Sequence, residues 1–149
     1  MKNKNRLSIT LFIIVGLLSA LKIYSQQTEP YPWTDKQLMT AATLYKIIND
    51  SSAKKPLLIS IGFGGGIKGS VDMGAARDKP NLEKFRKELE KHPKNADIVI
   101  YCGCCPYKNC PNVRPAFKLL NEMGFTGHKL LDLPTNLKTD WIDKGYSGK

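Results

Sequence analysis

The sequence predicts an α/β protein in which a parallel central sheet is covered by helices on both faces. Two apolar runs, "LLISIGF" at 57–63 and "DIVIY" at 97–101, are rich in Ile, Leu and Val and bounded by Pro, Gly or polar residues. Runs this short and this apolar read as strands buried on both sides. The segments between such runs carry apolar residues at helical spacing. Strands that alternate with helices imply parallel pairing through crossover connections.

The elements follow in order. Thr34 with Gln37 three residues on has capping-box spacing, and Leu38, Ala41, Ala42, Tyr45 and Ile48 form an apolar stripe, so a helix is expected at about 35–49. "LLISIGF" is the first buried strand, and "IKGSVDMG" a weaker extended piece. "PNLEKFRKELEKHP" places Leu82, Phe85 and Leu89 on one side and charges on the other, a surface helix capped by Asn81. After "DIVIY" comes a cysteine-rich loop. The next helix is expected at about 113–123, its start pinned near Asn112 because Pro115 is tolerable only in a first turn. Gly124 is the expected C′ residue, with Phe125 packing back over the helix end. "HKLLDL" is a third strand and "TNLKTDWIDKGY" a closing helical turn, with Trp33 and Trp141 covering the core edge.

Ahead of this domain, basic "MKNKNR", apolar "LSITLFIIVGLLSA" and a small residue at Ser25 give the region order of a secretory signal peptide. The apolar run is shorter than the ~20 residues that span a bilayer. Residues 1–25 are therefore expected to be a cleaved leader and 26–149 one domain, exported to the periplasm or secreted; membrane contact is expected only through an uncleaved leader. The whole chain carries 23 basic and 13 acidic side chains; without Lys2, Lys4, Arg6 and Lys22 of the leader, 19 against 13 leave +6. The lysines are interspersed with acids and form no basic stripe, which argues against nucleic acid and for a mild attraction to small anions. A monomer is expected.

All four cysteines, Cys102, Cys104, Cys105 and Cys110, lie in "YCGCCPYKNCPNVRP". The stabilising effect of a structural cross-link grows with the size of the loop it closes, and these would close only tiny rings. Zinc sites of four cysteines draw two knuckles from separate segments, whereas Cys104 and Cys105 are adjacent here, so neither metal nor cofactor is expected. Cys102-x-x-Cys105 follows a strand as a thioredoxin-like pair would, but Pro106, Pro111 and Pro115 delay the helix that should start within the motif. "GGGIKG" fits a dinucleotide fingerprint only formally, because no amphipathic helix opens at its third glycine; it reads as a flexible turn beside the cysteine loop. His92 and His128 read as surface residues. Thiol–disulfide chemistry within another fold stays open; the third reading is a nucleophilic thiolate at a strand's carboxyl end, ahead of a helix N-terminus, where ligands of open α/β sheets bind.

The order "LLISIG", "GGIKGSVDMG", "DIVIYC", "RPAFKLLNEMGF", "HKLLDLPTNLKTDWIDKGY" resembles the rhodanese-like sulfurtransferase domain over about residues 35–147. That family has a strand ending Asp-x-Arg, a G-H-I-P-G-A turn, and a strand ending in the catalytic cysteine. A helix ending Gly-Phe or Gly-Tyr, a further strand and a terminal Trp…Gly-Tyr follow. Here "GGIKGSVD" stands at the turn, Tyr101-Cys102 at the catalytic cysteine, and Trp141 with Gly145-Tyr146 at the close; "ISIG" lacks the Asp and Arg, and Gly66 replaces the His. The resemblance implies a rhodanese-like fold and sulfur transfer through a persulfide on Cys102, with small anionic sulfur compounds and a thiol acceptor as partners. Cys110 and Cys105 are the alternative or resolving thiols. Arg114 or Lys108 is the expected partner of an anionic donor. Thiol–disulfide chemistry, or a non-catalytic metal- or ligand-binding module of the same fold whose cysteines are locked as disulfides or hold a metal, is the alternative.

Overall fold

A computed structural model describes residues 30–146; the expected leader and its cleavage point lie outside them. A 3₁₀ turn (Asp35–Gln37) precedes strand β1 (Leu38–Thr40) and helix α1 (Ala41–Asn49). Strands β2 (Leu57–Ser60) and β3 (Val71–Asp72), helix α2 (Lys79–Leu89) and strand β4 (Ile98–Tyr101) follow. A 3₁₀ turn (Tyr107–Asn109), helix α3 (Val113–Glu122), strand β5 (His128–Asp132) and a closing π-type turn (Lys138–Ile142) complete the chain. The five strands lie in the order β1-β5-β4-β2-β3, and every pairing is parallel. The protein is thus an α/β protein with an all-parallel sheet.

Successive strand residues alternate between two cores, as the two-residue period of a pleated strand requires. Ile59, Ile98, Ile100 and Leu130 point into one with Phe85 and Leu89 of α2 and Phe117 and Leu120 of α3. Leu58, Val99, Tyr101 and Leu131 point into the other with Leu44 of α1, Leu137 and Trp141. Helices therefore cover both faces, and this is why the strands are continuously apolar. Phe85 and Phe117 are fully buried; truncating either to Ala would cost about 3–5 kcal/mol. Trp33 and Trp141 are buried at the core margins as expected. Tyr146 donates its N–H to Trp141 O (3.1 Å) and stacks on Tyr45 of α1 (4.7 Å between rings), so the closing turn clamps the second core.

Three expectations are corrected. The single helix at 35–49 is three elements: Thr34 N–H donates to Gln37 Oε1 (3.0 Å), which closes only one turn. Leu38–Thr40 then pairs with β5 in the register Leu38↔Leu130, and Thr40 restarts the helix by accepting from Thr43 N–H (3.2 Å). A sheet edge that satisfies backbone groups outweighs local helical periodicity. Helix α2 starts earlier than its expected cap: Asp78 is the N-cap and Pro80 sits in the first turn, where its fixed φ is compatible. Asn81 lies inside the helix and donates Nδ2–H to Ala75 O (3.1 Å). His128 is buried, not at the surface; its Nε2 lies 3.0 Å from Asn121 Oδ1 and its ring 4.6 Å from that of Phe117. Burial lowers its pKa, holding it neutral.

The end of α3 is as expected. Gly124 adopts φ +77°, Phe125 N–H bonds Leu120 O (3.0 Å), Gly124 N–H bonds Asn121 O (3.0 Å), and Phe125 is buried. This is a Schellman termination, which needs the left-handed residue that glycine supplies. Among the described residues no helix is long and apolar enough to cross a membrane.

Candidate active site

The cysteine loop leaves the sheet at the carboxyl end of β4, beside the end of β2. Ile61 N–H donates to Tyr101 O (2.9 Å), so the pairing of the two strands runs one residue beyond the ladder. Cys102 is the next residue, 2 % exposed. The loop is fixed at three further points. Gly103 O accepts from Leu137 N–H (3.0 Å), Tyr107 N–H donates to Leu133 O (3.2 Å), and Cys110 O accepts from Val113 N–H (3.3 Å) at the start of α3.

Opposite it, the glycine turn after β2 is held down by β4 itself. Tyr101 is fully buried, and its hydroxyl accepts from Ile67 N–H (2.8 Å) and meets Ser70 Oγ (2.7 Å). The turn at 64–69 is thereby pinned, and Ile67 is buried. A Cβ on Gly62 would stand 2.3 Å from Cys102 Sγ and 2.8 Å from Asn112 Nδ2; one on Gly64 would stand 2.5 Å from Gly103 C. The two loops pack backbone to backbone, and hydrogen at these positions is what leaves room for the sulfur. An open cavity of about 470 Å³ runs along the turn between Gly62, Phe63 and Lys68, and Phe63 is 62 % exposed there.

The loop folds its thiols together. Cys102, Cys104 and Cys110 place their sulfurs within 4.8 Å of one another; Cys104 Sγ is 3.3 Å from Cys102 Sγ and 2.9 Å from Cys105 Sγ. Cys102 and Cys110 are buried, Cys105 is half-buried and Cys104 is exposed. The 3₁₀ turn at Tyr107–Asn109 ends at Cys110 and brings it back to Cys102, as a resolving role for Cys110 requires.

These neighbours separate the thiols chemically. Hydrogen bonding from the Cys110 thiol, then from the Cys104 backbone N–H, Asn112 and the Cys104 thiol, outweighs burial and lowers the Cys102 pKa to about 5. Cys110 is pushed up, because it donates to the Cys102 sulfur and is buried. Cys104 is raised to about 12 by burial and by its thiol neighbours Cys105 and Cys102. One thiolate, Cys102, is thus surrounded by protonated donors near neutral pH.

Asn112 is a residue of the candidate site that sequence reasoning used only as a helix boundary. It is 2 % exposed; its Nδ2 donates to Cys102 Sγ (3.5 Å) while its Oδ1 accepts from Arg77 N–H (3.2 Å). The second bond fixes which end of the amide faces sulfur. Its place ten residues beyond Cys102, just before a helix, was visible, but the fold alone shows that the two meet. The two expected anion partners sit on aromatic faces. The Arg114 guanidinium lies 4.9 Å from the Tyr31 ring centroid, itself stacked on Trp33, and Lys108 Nζ lies 5.8 Å from that of Tyr107.

Fold and site together define a parallel α/β protein with a buried, thiolate-forming cysteine at the carboxyl end of a central strand. No protein-family model matches the chain, and no curated protein matches it.

Proposed function

We propose that the chain is a rhodanese-like sulfurtransferase, exported by a cleaved leader at residues 1–25, that carries sulfane sulfur on Cys102. The observation that carries this reading is the environment of Cys102 Sγ. A sulfur held as thiolate by an amide N–H, a carboxamide and two thiols needs no general base to act as a nucleophile. The succession of β2, the glycine turn, β4 with Cys102, α3 closed by Gly124-Phe125, β5 and Trp141…Tyr146 agrees with the family's order. The missing Asp, Arg and His and the longer loop set this chain apart from family members that carry the full pattern.

In the first displacement the Cys102 thiolate attacks the outer sulfur of thiosulfate. The Cys102 S–S bond forms, the donor S–S bond breaks, and sulfite leaves with the bonding electron pair. In the second, an acceptor thiolate attacks the outer persulfide sulfur, leaving as its own persulfide and regenerating the Cys102 thiolate. Neither step changes the overall electron count. Arg114 or Lys108 would meet the anionic donor, with bidentate geometry available to the guanidinium. Thiol–disulfide exchange is the second reading, favoured by the 3.3 Å separation of Cys102 and Cys104 sulfurs.

Intact mass of the reduced mature protein, before and after thiosulfate or polysulfide, tests both. Sulfur transfer predicts a reductant-sensitive gain of about 32 Da, one sulfur on a reversibly capped thiol, and its loss in Cys102→Ala. Exchange predicts thiol pairing without that gain. A mature N-terminus just after Ser25 tests the leader.

A further inference from the structure

We propose that Cys102, Cys104 and Cys110 also form a three-thiolate centre for one soft d¹⁰ cation, copper(I). The idea shares Cys102 with the sulfur-transfer reading and does not depend on it.

The donor set and its spacing carry the inference. Three sulfurs lie within 4.8 Å of one another, and among the described residues no imidazole or carboxylate joins them. An all-sulfur set discriminates against calcium and magnesium, which take oxygen, and selects thiophilic ions. A metal–sulfur bond of about 2.3 Å would place the sulfurs of a trigonal site ~4.0 Å apart. The 3.3 Å between Cys102 and Cys104, and the 4.8 Å limit on the group, bracket that spacing. Closing the site therefore requires side-chain adjustments of an ångström or less.

Coordination number then separates the candidates. Structural zinc prefers four ligands in a tetrahedron, whereas copper(I) is satisfied by two or three thiolates. Cys105 is adjacent to Cys104 in sequence; its sulfur touches Cys104 (2.9 Å) and also meets the Cys110 thiol, but it lies outside the mutually close set. Burial suits the smaller number as well. Cys102 and Cys110 lie 2 % exposed beneath Cys104, which is open to solvent and gives the ion an entry. The Tyr107–Asn109 turn and the start of α3 hold Cys110 at its distance, so the site is largely formed before the ion arrives. Binding forms three copper–sulfur bonds, releases the remaining thiol protons to solvent and changes no oxidation state.

The test is an anaerobic titration of the fully reduced protein with copper(I) against bicinchoninate as competing chelator. Sulfur-edge and copper-edge X-ray absorption provide the coordination number. The expected result is one tightly held copper with three sulfur neighbours. Cys104→Ser and Cys110→Ser should each weaken binding by more than about 100-fold, above the range usual for perturbing a ligand's outer partners; Cys105→Ser should change it only a few-fold. Far-ultraviolet circular dichroism confirms that each variant is folded. Absence of copper at one equivalent, a two- or four-sulfur shell, or equal losses in Cys105→Ser and Cys104→Ser would each overturn the proposal. The mass experiment above stands apart: a persulfide gain with no copper retained sinks only the metal centre, and copper retained with no persulfide sinks only the transferase.

Discussion

The loops that follow β2 and β4 leave adjacent parallel strands at the same end of the sheet, yet they contribute in opposite ways. The loop after β4 supplies every reactive atom: four thiols, with the Asn112 amide at its far end. The turn after β2 supplies the absence of atoms. Gly62 and Gly64 press their backbones against Cys102 and Gly103 so closely that a methyl group would fall 2.3 Å from the sulfur or 2.5 Å from the opposing carbonyl carbon. A buried thiolate needs donors on one side and a close, side-chain-free wall on the other. Tyr101 ties the halves together by hydrogen-bonding the turn from the residue that precedes Cys102.

That division of labour can be broken from either side. The largest effect is expected from the wall: Gly62→Ala forces Cys102 Sγ and Asn112 Nδ2 to move, costing about 1–3 kcal/mol by overpacking. The persulfide gain should disappear in the same variant. Denaturant unfolding and intact mass read the two, and a stable Gly62→Ala protein that still accepts sulfur would show that the wall is not needed.

On the donor side, Cys110→Ala removes the largest influence holding Cys102 as a thiolate. The midpoint of thiolate absorbance should rise from about 5 toward the ordinary thiol range, lowering sulfur acceptance at pH 6 roughly tenfold for a rise of about two pH units and further beyond that. Asn112→Ala removes a weaker contribution and should shift the midpoint in the same direction by less. In the unaltered protein the sign is fixed by the depressed value: Cys102 is a thiolate above about pH 5, so acceptance is flat from pH 6 upward and falls as pH drops through 5. A rate still climbing between pH 7 and 9 would contradict this ordering of the thiols.

The smallest change at the sulfurs is expected from the tie, whose loss is felt in stability alone. Tyr101→Phe leaves Ile67 N–H without its partner, at a cost of about 1–3 kcal/mol for an unsatisfied buried donor. It should leave the thiolate midpoint in place, because Tyr101 does not touch the sulfurs through its hydroxyl. Thermal unfolding and the absorbance titration separate the two.

Much of this was legible in the chain. The strands at 57–60 and 98–101, the helix start at Asn112 and the Gly124 termination each depend on neighbours within a few residues, where periodicity, proline and left-handed backbone speak directly. The position of Cys102 at a strand end followed from the same signals. β1 was hidden, because its three residues are strand only by virtue of β5, more than 80 residues away; Leu38 fits a helical stripe equally well. His128 was misplaced for the same reason: a histidine at a strand start reads as exposed until Phe117 and Asn121 cover it.

The sequence by itself determined the alternation of strand and helix, hence a parallel sheet with a cysteine-rich loop at a carboxyl end, since apolar period and turn chemistry are local. Only the tertiary structure decided which sulfurs meet, which one is the thiolate, and that glycines wall the site. Those depend on the 3₁₀ turn that returns Cys110 to Cys102, and on the approach of a second loop to within a methyl group's width. Distances of that kind are set by packing across the chain, and no spacing along it encodes them.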